Sequence, residues 1–317
     1  MATKKSTTKA KTKTTNSKTP AQKTVAAKAK TSASKTKTTA KKPAVKPAKV
    51  VSAKQTKTSR FATAGTTLFS LRRLHIFSIV VFAALAVAAW MLMGNTSSEL
   101  TVGYLAKDEL ATGTVLAPAV HTLYDVEIRW IVVGISLLSA VLPLLYVTKF
   151  ERRYGEALKN TRMVPWRWID FGITMGLILE TVALLGGVHD LFVLKLVGGL
   201  MVVTCLLGLI AERQNNTAAK PVWSAFYVSL VSGILPWIVI AAYAVSTVVY
   251  GSVWSPWYVY ALYAATVIGF SLIGLNKKKQ LKGTGKWQNY FFVERNYAVL
   301  GLLTKAAFAV ILIVGLR

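Results

Sequence analysis

The sequence predicts an all-α membrane protein: a bundle of seven transmembrane helices preceded by a disordered basic tail. Three observations carry that expectation. The 317 residues are 53% hydrophobic and only 16% charged, with a mean hydropathy of +0.46, whereas soluble domains carry roughly 25% charge. Seven apolar runs, each near the roughly 20 residues that cross a bilayer, follow one another from residue 75 onward. The net charge of +27 is concentrated: residues 1–60 hold 17 Lys and one Arg with no Asp or Glu, which leaves 21 basic and 12 acidic side chains for the rest. This distribution excludes a soluble globular enzyme and a folded nucleic-acid-binding domain with its cations spread through it. The single cysteine, Cys205, excludes an intrachain disulfide framework and a Cys-rich metal site.

Taken in order, residues 1–66 form the tail and 67–317 the membrane domain. The tail is almost wholly Lys, Thr, Ala, Ser and Pro. It has too little apolar surface to offset the entropy of ordering, so it is expected to be disordered. It either binds anionic lipid or nucleic acid in a salt-dependent manner, or is a solvated cytoplasmic segment that fixes topology. The first apolar run lies too far into the chain for a signal peptide. The expected spans are 75–94, 128–148, 166–187, 191–211, 222–248, 255–275 and 296–316. Backbone in lipid must satisfy its own hydrogen bonds, which makes each a helix. The third and fourth, joined by a turn containing Gly186 and Gly187, form an antiparallel pair. The long connection 95–127 has two readings, a short hairpin or an irregular loop.

Lys and Arg alternate between connections. Arg72 and Arg73 join the tail before the first span. Lys149, Arg152, Arg153, Lys159 and Arg162 lie between the second and third, and Arg213 and Lys220 after the fourth. Lys277, Lys278, Lys279, Lys282 and Lys286 follow the sixth. The opposite connections hold only Lys107. The bias places the N-terminus in the cytoplasm and the C-terminus outside a plasma-membrane protein.

Ionisable residues within spans are costly and mark function. Lys305 lies mid-span, about 14 Å from each surface at 1.5 Å per residue, too deep to snorkel. It is either a structural lysine paired with a carboxylate or a desolvated amine that forms a Schiff base with an aldehyde. Asp170 sits a turn and a half into the third span, at the depth toward which Lys305 leans. It suits a counterion; alone, it would be an interfacial residue paired with Arg167. Thr174, four residues on, shares its face and is expected to hydrogen-bond the carboxylate. Lys195 reads as a snorkelling anchor. Glu180, deep and without an evident partner, reads as a neutral buried acid or a proton-transfer site. Trp168, Trp237 and Tyr263 suit a pocket, while Trp254–Tyr258 suit an interfacial belt. Pro236 interrupts the regularity of the fifth span.

These residues resemble the heliorhodopsins, a retinal-protein family with a cytoplasmic N-terminus. The likeness covers residues 68–317. It is carried by R-W-I-D-F (Arg167–Phe171), C-L-L-G-L-I-A-E (Cys205–Glu212) and G-x-x-P-W (Gly233–Trp237). Y-V-Y-A (Tyr258–Ala261), N-K-K-K-Q-L-K-G-T-G-K-W (Asn276–Trp287) and E-R-N-Y-A-V-L-G-L-L-T-K (Glu294–Lys305) complete it. The resemblance implies all-trans-retinal on Lys305 as a protonated Schiff base, with Asp170 as its counterion. It implies a pocket drawing on Trp168, Thr174, Thr204, Pro236, Trp237, Tyr263, Val267 and Gly301. It also implies a homodimer among membrane lipids, a slow photocycle and a light sensor with a cytoplasmic signalling partner. Ion pumping and enzymatic catalysis are not expected. The sequence departs from the family's pattern at five positions. Asp170 replaces the usual Glu, Gly301 replaces a serine, Phe82 and Pro143 replace two histidines, and Glu180 replaces an aliphatic residue. The alternative functions are light-gated or light-driven proton transport through Glu180, and a membrane anchor for the basic tail that binds no chromophore.

Overall fold

A computed structural model describes residues 55–107 and 116–317, with side chains from Phe69 onward. The expected disorder of the tail lies outside the described residues for 1–54, whereas residues 55–66, expected to be disordered, form the first turns of α1. The helix α1 (Gln55–Leu92) has Phe69–Leu92 as its apolar part. A hairpin of β1 (Ser97–Lys107) and β2 (Leu116–Glu127) follows. After it come α2 (Ile128–Val147), the short α3 (Glu151–Glu156) with a π-helical turn over Ala157–Thr161, and α4 (Pro165–Leu185). The chain then forms α5 (Leu191–Thr217), α6 (Ser224–Val249), α7 (Trp257–Lys282) and α8 (Tyr290–Gly315). Seven of these helices, all but α3, are long and apolar enough to cross a membrane.

The helices outrun the expected spans mainly at the end where the basic connections gather. Helix α7 continues through Asn276-Lys-Lys-Lys-Gln-Leu-Lys282. Lys, Gln and Leu are good helix formers, and cations suit a helix C-terminus. Gly283, at φ 60°, then stops the helix in the left-handed conformation that glycine adopts without steric cost. Helix α8 starts at Tyr290 because the Asn289 side chain accepts a hydrogen bond from the Phe291 amide at 3.0 Å.

Helix α4 is the most enclosed element. Ile178, Leu179, Val182 and Ala183 are fully buried, and Tyr297, Phe308 and Leu312 of α8 belong to the same core. Its approach to α5 depends on small residues: a Cβ added to Gly176 would lie 3.1 Å from the Gly198 carbonyl oxygen.

Of the two readings for 95–127, the hairpin is found. The strands pair antiparallel from Ser97–Glu127 to Lys107–Leu116, with an irregularity between Leu100 and Thr101. The hairpin is tied to the α4–α5 connection by Thr101 N–H donating to His189 O at 2.9 Å and by Gly103 N–H donating to Asp190 Oδ2 at 3.0 Å. The other Asp190 oxygen caps α5, accepting from Phe192 N and Val193 N at 2.9 and 3.0 Å. The Val193 and Gly103 amides, foremost, hold the Asp190 carboxyl below its ordinary 3.8. A depressed acid stabilises the fold above the unfolded pKa, and that contribution is lost as the pH falls through the folded value. Asp190→Ala is expected to cost about 1 kcal/mol as a lost cap and to free the hairpin locally. Hydrogen exchange should then be faster at Gly103 and Val193 at neutral pH, with the difference from wild type vanishing in strong acid. Equal protection at neutral pH would refute this anchoring.

Candidate functional site

Lys305 and Asp170 meet in the middle of the bundle. Lys305 Nζ donates to Asp170 Oδ2 at 2.7 Å, and the two side chains are 4% and 12% exposed. The pair joins α8 to α4. Two charges this poorly hydrated persist only when each neutralises the other. The Lys305 ammonium also lies 5.5 Å from the Phe171 ring centroid. Gly301, one turn before Lys305, makes room for that ring: an added Cβ would lie 2.9 Å from Phe171 Cε1. An aromatic edge thus occupies the space beside the amine where a serine would have offered a hydroxyl.

Thr174 does not serve the carboxylate as expected. Its hydroxyl donates to the backbone oxygen of Asp170 at 2.6 Å, the i to i−4 bond that helical geometry offers any threonine. Arg167 does not pair with Asp170 either. Its guanidinium bonds Glu212 Oε2 at 2.7 Å and also Glu294, with all three residues buried. Around Glu212 gather Tyr290 Oη at 2.6 Å, Gln280 Nε2 at 2.9 Å, the Trp168 indole N–H and, at 3.9 Å, Lys277 Nζ. Lys277, which lies two residues beyond the expected sixth span, is a second buried lysine, only 3% exposed. Glu180, expected to lack a partner, bonds Lys195 at 2.7 Å. Lys195, expected as an anchor alone, is therefore half of an ion pair at the hairpin end.

One cavity is lined by both members of the pair and a second, larger one by neither; Phe171 lines both cavities. The smaller, about 50 Å³, is lined by Lys305, Asp170, Gly301 and Arg167 among others. Phe82 and Pro143 line it too, yet His75, Ser78 and Ser139 give it polar groups that the sequence reading missed on the first two spans. His75 is buried, with Nε2 3.1 Å from the Tyr154 hydroxyl. Complete burial in turn pushes the Tyr154 phenol well above its ordinary range.

The larger cavity, about 750 Å³, lies among α4, α5, α6 and α7. Trp168, Thr204, Trp237 and Val267 line it. Pro236 is buried in α6 but forms no part of its wall. Tyr263 stands elsewhere, its hydroxyl buried and unpartnered beside Gly186 of the α4–α5 turn. The sequence reading did not anticipate Phe171 and Met175 on α4, which together with Trp168 present one face to this cavity.

A buried amine with a neutralising carboxylate, and a large, mainly apolar cavity that shares Phe171 with the smaller one lined by that amine, are the parts that a lysine-linked apolar chromophore requires. The sequence profile of the heliorhodopsins matches residues 71–316. The chain belongs to the heliorhodopsin family. It is a multi-pass membrane protein of the rhodopsin fold, and its family is one of retinal-binding, light-responsive proteins. Solved structures that share the fold include two rhodopsins. The transmembrane domain of the Salpingoeca rosetta rhodopsin phosphodiesterase has a TM-score of 0.54 at 12% identity, over 81% of this chain and 88% of that one. Cyanorhodopsin from the cyanobacterium Tolypothrix sp. NIES-4075 has a TM-score of 0.50 at 16% identity, over 79% and 92%. No curated protein matches the chain in sequence. The residues present fit retinal. The large cavity lies within the roughly 300–1,000 Å³ typical of small-ligand sites, its lining is mainly apolar, and the Phe171 ring on its wall also faces the Lys305 amine.

Proposed function

We propose that this heliorhodopsin is a light sensor that carries all-trans-retinal on Lys305 as a protonated Schiff base, with Asp170 as the counterion. The observation that carries the reading is the buried Lys305–Asp170 contact at 2.7 Å. When bound, retinal supplies the absorption of visible light and a change of shape on excitation. Asp170 holds the proton on the lysine nitrogen, because an unpaired cation at this depth would lose it. Trp168 of α4 and Trp237 of α6, which both line the large cavity, would hold the polyene. Trp168 also bonds Glu212, so pressure on its ring is passed to the charged network at the basic end.

In this reading the N-terminus and the basic connections are cytoplasmic, in the plasma membrane, and the hairpin and C-terminus are outside. The basic tail either gathers anionic lipid or nucleic acid or is a solvated segment that fixes topology. The protein works as a homodimer and signals to a cytoplasmic partner. It catalyses no reaction itself.

Sensing is favoured over transport because Glu180 is already neutralised by Lys195, and Lys195 is 60% exposed. Glu180 also lies about 15 Å along α4 from Asp170. The test is illumination of expressing cells supplied with retinal, under voltage clamp. A visible pigment without sustained photocurrent is expected. A proton current abolished by Glu180→Gln would overturn the sensor reading in favour of transport.

Asp170→Asn is expected to red-shift the absorption band, or to move it into the near ultraviolet by deprotonating the linkage. A carboxylate stabilises the ground-state cation at the nitrogen more than the excited state, whose positive charge moves toward the ring. An unchanged spectrum would remove Asp170 from the counterion role.

A further inference from the structure

We propose that the groove between α7 and α8 at the basic end of the bundle binds one anionic phospholipid, with its phosphate between Lys279 and Arg295 and an acyl chain along the groove toward the membrane centre. The assignment to the cytoplasmic leaflet rests on the topology proposed above; the binding itself does not. The groove is a cavity of about 520 Å³, separate from both cavities at the lysine site. Its walls are Leu272 and Leu275 of α7 and Val299 and Leu300 of α8. Leu272 and Leu275 are exposed on the surface that faces lipid.

The polarity of the groove matches an amphiphile lying along it. Lys279 is seven residues beyond Leu272, about 10 Å along the helix, and Arg295 is five residues before Leu300. Both cations therefore stand near the membrane surface, while the apolar walls run inward through much of a hydrocarbon leaflet of about 15 Å, half the full core. Both cations are exposed, and among the described residues neither is paired with a carboxylate. Two unneutralised cations above an apolar slot complement a phosphate ester on an acyl chain, as basic pockets between transmembrane helices do.

The groove is also built and held open. Asn276 is buried at its floor, where Oδ1 accepts from Trp287 Nε1 at 2.9 Å and from Asn296 Nδ2 at 3.4 Å. This fixes the Trp287 indole, and Lys279 Nζ stands 4.5 Å from its ring centroid. The Lys279 head is thereby oriented at the mouth, and an interfacial tryptophan sits at the level of the headgroups. Helix α8 forms one wall and also carries Lys305, so a lipid seated here rests against the helix that bears the chromophore.

The test uses the full chain in neutral detergent, with phosphatidylglycerol and phosphatidylcholine of identical acyl chains added, and bound lipids counted by native mass spectrometry. One phosphatidylglycerol retained at least tenfold more strongly than phosphatidylcholine is expected. The preference should fall about tenfold in Lys279→Gln/Arg295→Gln and persist in Lys149→Gln/Lys159→Gln, which removes two exposed cations elsewhere at the same end. Val299→Trp, which fills the slot and leaves the cations, should lose the lipid as well. Preference retained in the first or third variant, or equal retention of soluble glycerol phosphate, would overturn the site and leave only attraction of anions to a basic surface and tail. Helical circular dichroism guards against unfolding, and the charge-conserving Lys279→Arg/Arg295→Lys should keep the preference. Detergent has no sidedness, so failure here is distinct from failure of the topology. Protease accessibility in intact cells tests the topology.

Discussion

Lys305→Ala, expressed with retinal, is expected to yield no visible absorption band, the largest spectroscopic effect of any single substitution in this protein. The physical ground is the placement of the amine. It is the one lysine of the described residues that lies at mid-membrane and is held 2.7 Å from a carboxylate. A Schiff base needs an amine that can shed its proton and attack, and then a partner for the positive charge that returns to the nitrogen. Lys277 is the competitor because it is equally buried and lines the large cavity. Its ammonium stands 3.9 Å from a carboxylate already bonded by Arg167, Tyr290, Gln280 and Trp168, and 4.9 Å from the Trp168 ring. It therefore belongs to the network at the basic end. Lys277→Ala should keep the band, and the two variants together separate the candidates. A band that persists in Lys305→Ala and disappears in Lys277→Ala would reassign the attachment site. In Lys305→Ala the Asp170 carboxyl loses its cation, so Lys305→Ala/Asp170→Asn is the control for a variant that folds poorly.

The fold was legible in the sequence because the bilayer imposes a length and a polarity on each span. Apolar runs alone located seven helices, and the Gly186-Gly187 turn marked α4 and α5 as an adjacent pair. The Lys305–Asp170 pair was legible for a related reason. Charges deep in apolar runs are few, so partners can be found by matching depth. What the sequence hid lies at the margins of the runs. Glu212, Lys277 and Glu294 fall one or two residues beyond spans drawn at 211, 275 and 296, and so counted as interfacial. In the structure the helices continue past the hydrophobic cut-off, Glu212 and Glu294 turn inward to Arg167, and Lys277 turns toward Glu212. The signal was present in the motifs, since Arg167, Glu212 and Glu294 each sit within a family-like segment. Hydropathy discards such residues at the places where a polar network is built. Thr174 and Tyr263 show a second limit. Sequence places a residue on a helix face, but whether its hydroxyl takes the backbone or a neighbouring side chain depends on local geometry. The hairpin was undecided for a third reason. It is held by Asp190 and His189, far along the chain, and not by its own alternation.

Arg167→Met is expected to destabilise the protein by about 3–5 kcal/mol, the usual cost of removing one partner from a buried ion pair. The guanidinium answers two carboxylates, Glu212 and Glu294, whose side chains are each 2% exposed. Without it, Lys277 is the nearest cation to Glu212, and its 3.9 Å distance is too long for a hydrogen bond. Glu294 would keep only the Tyr154 hydroxyl, which lies 3.4 Å from its Oε1. Both acids would have to take up protons or admit water, and either outcome opens the contact between α4, α5 and α8. Thermal unfolding followed by circular dichroism should show the midpoint lowered by on the order of 10 °C, given a few degrees per kcal/mol for a domain of this size. Much of the loss should return in Arg167→Met/Glu212→Gln/Glu294→Gln. There the desolvated charges are gone and the amides can still bond Tyr290, Gln280 and Tyr154, in keeping with the near-neutral cost of exchanging a whole buried ionic cluster for uncharged residues. A triple variant no more stable than Arg167→Met would mean that the guanidinium acts through its packing on Tyr297, whose ring centroid is 4.1 Å away, and not through its charge. An unchanged midpoint in Arg167→Met itself would mean that water reaches this end of the bundle freely and screens the two glutamates.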